Sequence, residues 1–261
     1  MGKVIVVTSG KGGVGKTTVL ANLGIMLATC GKMVCLVDAD VGLNNLDVVI
    51  GVENRIVYDL IDCMEGRCRP EQALLQVPFL DKLFVLPSCK LVTNKRIATE
   101  KFSEVIDELK NSFDFILIDC PAGIGSGFYM ATEPSDSALV VVTPSIASIR
   151  DADKVIQLLK ANQIREINLV VNRIERSKVL KNEMLDADQI EELLCVKMIG
   201  IIPESDELNM YNSFLTKGAE FSDENIKYAF GILCKNCMTG TYEKFNYLAK
   251  RSWLLSLFKR C

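Results

Sequence analysis

The sequence predicts an α/β protein: a doubly wound, mostly parallel sheet flanked by helices, with a C-terminal amphipathic helix. Three observations lead there. Apolar runs recur at Val4–Val7, Val34–Val37, Leu83–Leu86, Phe115–Ile118, Leu139–Val142, Leu169–Val171 and Met198–Ile202. Their hydrophobicity is unbroken rather than alternating, the mark of strands buried on both faces. Segments with helical spacing, Thr17–Thr29, Ser103–Lys110 and Ala152–Leu159, lie between them. Directly behind the first run stands Gly10-Lys11-Gly12-Gly13-Val14-Gly15-Lys16-Thr17, which matches G-x-x-x-x-G-K-[ST] in a strand–loop–helix setting.

Composition sets the bounds. At 261 residues, 49% hydrophobic and 24% charged, the chain is long enough for one substantial core. We divide it into a nucleotide-binding domain over 1–238, a linker at 239–243 around Gly240, and the amphipathic helix over 244–261. A net charge of −3 counts against a protein dominated by nucleic-acid affinity. No apolar stretch reaches the ~20 residues that span a bilayer. The first apolar run begins at Val4, so no targeting segment is expected. Of the 10 cysteines, Cys30, Cys35, Cys120 and Cys195 fall inside expected elements, where cysteine acts as a small hydrophobe. That usage suits a reducing, cytosolic compartment. Cys234 and Cys237 form one C-x-x-C, but a zinc site needs a second ligand pair and the chain has no histidine.

The elements, taken in order, place the chemistry. In the loop after the first strand, glycines let successive backbone N–H groups turn inward as an anion nest. The helix from Thr17 adds the positive end of its dipole. Lys16 suits the β- and γ-phosphates and the Thr17 hydroxyl suits Mg²⁺, so the loop reads as a nucleoside triphosphate site. Ligands of such sheets sit at the carboxyl ends of strands. Asp38-Ala39-Asp40 follows the second run and Asp119-Cys120-Pro121-Ala122-Gly123 follows Phe115–Ile118. Either aspartate could cap a helix, but two such carboxylates beside a phosphate loop favour metal or water handling. Asp119 then holds the metal in the Walker-B manner, with Asp38 near it. Asp40 orients the attacking water, and the Gly123 N–H senses the γ-phosphate. Asn172-Arg173 and Pro203-Glu204 follow later runs. A side-chain amide there offers a base edge its donor and acceptor, although turns are commonly polar anyway.

Lys11-Gly12-Gly13-Val14-Gly15-Lys16-Thr17-Thr18, with an early second lysine, resembles the deviant Walker A pattern. With Asp38-Ala39-Asp40 and the segment from Asp119 to Gly123, it is similar to the MinD/ParA superfamily of dimerising P-loop ATPases. Val41-Gly42-Leu43-Asn44-Asn45-Leu46-Asp47, Ser148 to Asp153, Val171-Asn172-Arg173 and Gly200 to Glu204 resemble the branch that places the division site. The resemblance implies ATP and Mg²⁺, with hydrolysis activated by dimerisation. It implies that Lys11 crosses an ATP-sandwiched homodimer to the partner's phosphates, where a cation stabilises the transition state. It also implies that Asp40 assists the hydrolytic water, that Thr17, Asp38 and Asp119 serve the metal, and that Asn172 contacts adenine with Pro203 near the base. Arg150 and Asp151 would lie at the dimer and partner face, meeting MinC-like and MinE-like regulators. Cys120 departs from the usual small residue without functional consequence.

The last stretch adds a separate output. On a helix, Tyr247, Trp253, Leu254, Leu257 and Phe258 share one arc. Lys250, Arg251, Lys259 and Arg260 border it, and Glu243 is the acidic exception. Such a helix either packs back on a protein or lies in an anionic membrane interface. The resemblance favours the membrane, hence a cytoplasmic protein peripheral on the inner face of the cell membrane, with no specific nucleic acid as partner. A ParA-type DNA-partition ATPase and an FlhG-type flagellar-number regulator are the rival members of the superfamily.

Overall fold

The computed structural model describes residues 1–40, 46–88, 99–209, 221 and 223–248. The order is β1 (Lys3–Thr8), α1 (Lys16–Thr29), β2 (Val34–Asp38), α2 (Leu46–Ile50), α3 (Leu60–Met64), α4 (Pro70–Ala73), β3 (Leu75–Gln76) and β4 (Leu83–Leu86). It continues with α5 (Thr99–Leu109), β5 (Phe115–Asp119), α6 (Ser126–Thr132), β6 (Ser137–Val142) and α7 (Ile146–Ala161). The chain then runs through β7 (Glu166–Ile174), α8 (Arg176–Leu180), α9 (Ala187–Leu194), β8 (Met198–Pro203), α10 (Asp206–Asn209) and α11 (Glu224–Thr239). Every expected run is a strand.

Among the described residues the strands form an 8-stranded sheet in the order β3-β4-β2-β5-β1-β6-β7-β8. All strand pairings among the described residues are parallel except β3 with β4. Since the other strands run one way, their carboxyl ends share one edge. β1 sits between β5 and β6, so the loop after it opens in the crevice where connections turn to either side. Burial on both faces explains the unbroken runs: every residue of β2, β5 and β6 is buried.

The helices divide by environment. α5 buries one stripe, Phe102, Val105, Ile106 and Leu109, as a surface helix does. α1 is apolar nearly all round, because it lies between the sheet and α11. A Cβ on Gly24 would come within 2.6 Å of Leu36, and one on Gly231 within 3.9 Å of Met26. The close approach of β2 to α1 is therefore built partly on a missing side chain, whereas at Gly231 a Cβ would make an ordinary contact with α1.

Four local features differ from the sequence reading. β3, a short antiparallel edge strand, has no apolar run to announce it. α7 starts at Ile146 rather than Ala152, capped by Ser145, whose hydroxyl accepts the Ser148 N–H at 3.3 Å. Asn172 and Arg173 belong to β7 itself instead of a following loop. Residues 240–248 are neither a slack linker nor the start of a helix. Gly240 ends α11 at φ 68°, and 241–246 run without regular structure across the domain. Asn236, buried in α11, clasps that strap. Its Nδ2 donates to the carbonyls of Ile199 at 2.9 Å and Glu243 at 2.8 Å, while its Oδ1 accepts the Glu243 N–H at 3.0 Å. Phe245 is buried against Tyr228. Tyr247, assigned to the membrane face by the sequence, packs on the domain and accepts the Ala187 N–H at 3.3 Å. Trp253, Leu254, Leu257 and Phe258 lie outside the described residues.

Candidate nucleotide site

The loop between β1 and α1 holds its shape through two left-handed glycines, Gly13 at φ 79° and Gly15 at φ 87°. Both are conformations that a side chain would strain. Cβ atoms on Gly12 and Gly13 would meet nothing within 4 Å, so the inner wall is an open cradle of backbone. Gly10 is glycine for another reason: a Cβ there would fall 2.3 Å from the carbonyl carbon of Asp151. The sequence-predicted partner-face helix thus rests directly on the phosphate loop. Asp151 meets Gly10 through its backbone, while Arg150 is exposed.

The charged groups converge at the ends of β1, β2 and β5. Lys16 is buried at 9% exposure and forms an ion pair with Asp119 Oδ1. The Thr17 hydroxyl donates to the other Asp119 oxygen at 2.6 Å. Asp38 pairs in register with Asp119 on the neighbouring strand. Its Oδ1 accepts the Asp40 N–H at 2.9 Å, and its buried Oδ2 has no partner among the described residues. Burial, then the nearby Asp119 charge, pushes the Asp38 carboxyl up to about 7. Asp40 is also raised, chiefly by burial, against the opposing pull of Lys16. Among the described residues the set is anion-rich relative to the buried Lys16 and leaves an Asp38 oxygen open to a cation. Thr17, Asp38 and Asp119 supply the hard oxygens that Mg²⁺ prefers.

A cleft of about 660 Å³ opens over this array, lined by Ser9, the loop from Lys11 to Thr18, Asp40, Val48, Val49, Ala122 and Arg173. Gly123 stands at φ 88°, and its N–H donates to the Ser9 carbonyl at 3.3 Å. In this form that N–H ties the turn after β5 to the phosphate loop. Gly15, Thr18 and Arg173 also line a neighbouring notch with Asn172, Pro203, Glu204, Ser205 and Leu208. The late residues expected near a base therefore adjoin the far end of the phosphate loop. Asn172 is buried, and its Nδ2 donates to the Val14 carbonyl at 2.8 Å, against Gly15. The strand pairing is irregular beside Asn172. Between β7 and β8 the register steps from Val171↔Ile201 to Ile174↔Pro203, with Arg173 left-handed at φ 60°. Arg173 Nε then lies 3.8 Å from Glu204 Oε2.

Sequence reasoning missed Ser9, Val48, Val49, Ala122, Ser205 and Leu208 as lining residues. Ala122 and Ser205 sit beside flagged motifs, which is a signal of position only. Val48 and Val49 come from α2 and carry no motif.

Comparison with known proteins agrees with this geometry. The profile of the family described as "AAA domain" matches residues 2–172. The septum site-determining protein MinD of Bacillus subtilis is 48% identical over 210 residues, covering 80% of this chain and 78% of that protein. The MinC:MinD cell division protein complex of Aquifex aeolicus contains a chain that superposes with a TM-score of 0.84 at 42% identity, covering 95% of this chain and 98% of that one. The septum site-determining protein MinD of Pyrococcus horikoshii, solved with Mg-ADP, gives 0.80 at 30% identity, covering 92% and 97%.

Proposed function

The chain belongs to the MinD/ParA family of P-loop ATPases, and on that premise we propose that it is a division-site ATPase whose ATP-bound dimer holds a membrane and whose hydrolysis releases it. An ATP-hydrolysing role in division-site placement follows from membership at this identity. The observation that carries the finer reading is the buried Lys16–Asp119–Thr17 group facing an open glycine cradle beside an Asp38 oxygen that has no partner among the described residues.

The cradle N–H groups and the α1 N-terminus bind the phosphates of ATP. Lys16 turns from Asp119 toward the β- and γ-phosphates, and Asp119 and Thr17 become free to face the metal. Mg²⁺, when bound, neutralises charge on the β- and γ-phosphate oxygens. Asp40, on the cleft wall, orients the attacking water, and Lys11 reaches a second copy's phosphates. The Asn172–Pro203 notch takes adenine. Asn172 already bonds the Val14 carbonyl, so the base side is coupled to the phosphate loop. MinC is the partner of the Aquifex relative, and a MinC-like regulator at the Arg150–Asp151 face fits the contact of that helix with Gly10. A MinE-like regulator is the companion expectation.

Magnitudes favour a dimer switch. Each basic residue adds roughly 1 kcal/mol on an anionic surface, and interfacial burial adds only part of the ~1.5–3 kcal/mol of a large apolar side chain. One tail is a marginal anchor, while two on a dimer gain ~10²–10⁴-fold by effective concentration. Sedimentation with phosphatidylglycerol–phosphatidylcholine vesicles tests this. Pelleting is expected with Mg²⁺ and a non-hydrolysable ATP analogue, not with ADP, and not after deletion of residues 249–261. Equal pelleting in both nucleotides overturns the switch.

A further inference from the structure

Cys234 acquires a different neighbour from the one its sequence suggests. The C-x-x-C spacing pairs it with Cys237, yet the Cys234 sulfur lies 3.9 Å from that of Cys30, 204 positions away. Cys237 faces the other way, into a notch at the amino ends of the strands lined by Lys3, Ser137, Glu166 and Asn168. Among the described residues no cluster of metal-binding side chains includes any of them. The Cys30–Cys234 contact stands where α1 and α11 pack, at the helix end opposite the phosphate loop.

We propose that Cys30 and Cys234 form a peroxide-responsive dithiol that closes to a disulfide and staples the phosphate-loop helix to the last helix of the domain. The two sulfurs divide the work. Cys30 caps α1 and is exposed, so it meets the oxidant. Cys234 is buried in α11, out of reach of the oxidant but 3.9 Å from the Cys30 sulfur, and this position makes it the resolving partner. The Cys30 thiolate attacks hydrogen peroxide, forming the sulfenic acid and releasing hydroxide. The Cys234 sulfur then attacks the Cys30 sulfur, the S–O bond breaks, and water leaves with the Cys234 proton. Net, two thiols and one peroxide give one disulfide and two waters. The sulfurs need approach by only about 2 Å to reach the disulfide length of ~2.05 Å, within reach of side-chain rotation.

A second thiol pair makes the prediction discriminating. Cys63 and Cys68 lie 3.6 Å apart, but only five positions separate them. Their closure would join one turn to itself. The 30–234 link closes nearly the whole domain into a loop, and long loops lose the most unfolded-state entropy.

The reduced full-length chain is treated with stoichiometric hydrogen peroxide, digested without reductant and mapped by mass. The expected product is a linked peptide pair carrying Cys30 and Cys234, lighter by two hydrogens. A rise in melting temperature of roughly 5–10 °C accompanies it and is reversed by dithiothreitol. Cys30→Ser, a surface change, abolishes both. Cys234→Ala does the same, and if that variant fails to fold, Cys30→Ser decides alone. A link confined to Cys63 and Cys68, or Cys30 oxidised to the sulfinic acid while Cys234 stays alkylatable, overturns the proposal.

Discussion

At the amino ends of the strands, Lys3 reaches Glu166 at 2.9 Å, Asp136 accepts the Val4 N–H at 2.8 Å and Asp114 accepts that of Met33 at 2.8 Å. At the carboxyl ends, among the described residues, Asp38 keeps a buried oxygen without a partner and Lys16 is a buried cation beside Asp119. The same sheet thus carries satisfied polar groups at one edge and uncompensated charge at the other. Folding alone would favour the first arrangement at both edges, since buried charge is costly unless paired. The second edge is what a site looks like when a ligand completes its electrostatics, and stability is the usual cost of that.

The sharpest way to break this contrast is to remove one lysine from each edge. Lys16→Ala is expected to lower ATP turnover on the order of 10²–10³-fold or more, as loss of a cation at a transferring phosphoryl group does. It also leaves Asp119 buried with less compensation. Lys3→Ala should leave turnover within twofold of the parent, roughly the effect of a surface pair. Phosphate-release assays on both settle it, and comparable losses would dissolve the distinction between the edges.

Glycines give the next largest effect. Gly15 at φ 87° would place a Cβ 2.3 Å from the Asn172 amide. Gly31, at φ 86° in the turn between α1 and β2, would place a Cβ 3.8 Å from the end of Lys82 and against nothing closer among the described residues. Gly15→Ala is therefore expected to weaken nucleotide binding by roughly tenfold or more, through strain of ~1–3 kcal/mol. Gly31→Ala carries the strain into stability alone. Nucleotide titration beside thermal melting separates the two outcomes.

Legibility followed burial. Strands buried on both faces declare themselves as apolar runs, and the phosphate loop declares itself through residue types that its chemistry requires. What escaped is set by tertiary contacts. The bulge at Arg173 is one extra residue in a polar stretch, visible only against β8. Gly10 gives no sign that Asp151 lies on it. The segment around Tyr247 has an amphipathic pattern, but Asn236 and Ala187 hold it as a strap. Periodicity cannot distinguish those two uses of the same residues. The site motifs were legible as a set, whereas their joining through Asn172 and Val14 was not.

A smaller effect concerns Asp38. Its folded-state carboxyl is raised from 3.8 to about 7, so the folded chain holds a proton that the unfolded chain has already released. Stability should fall as pH rises from about 4 to about 7, because the unfolded state binds fewer protons there. Asp38→Asn keeps the oxygen that accepts the Asp40 N–H and removes the buried charge. We expect it to stabilise the nucleotide-free chain by about 1–3 kcal/mol at pH 8 and to flatten that limb. It should depress turnover at the same time. Melting curves across pH 5–8 provide the check; a variant destabilised at pH 8 would mean that Asp38 is compensated after all.

Glu166 is the counterpart at the amino edge and should show the opposite sign at smaller size. Burial raises its carboxyl, but the hydrogen bonds from Lys3 and Asn168, with the Lys3 charge, outweigh that and hold it below its ordinary value. A depressed carboxylate contributes stability above its unfolded pKa and loses it as pH falls through the folded one. The window therefore lies below about pH 4.3. Both partners are partly exposed, at 33% and 42%, so solvent screening limits the contribution to roughly 0.2–1 kcal/mol. Glu166→Gln should lower stability by no more than that at pH 7, flatten only the acid limb and leave turnover intact. If it changed turnover instead, the amino edge would be communicating with the cleft through β7, the strand that carries both Glu166 and Asn172. The two edges would then be one coupled device.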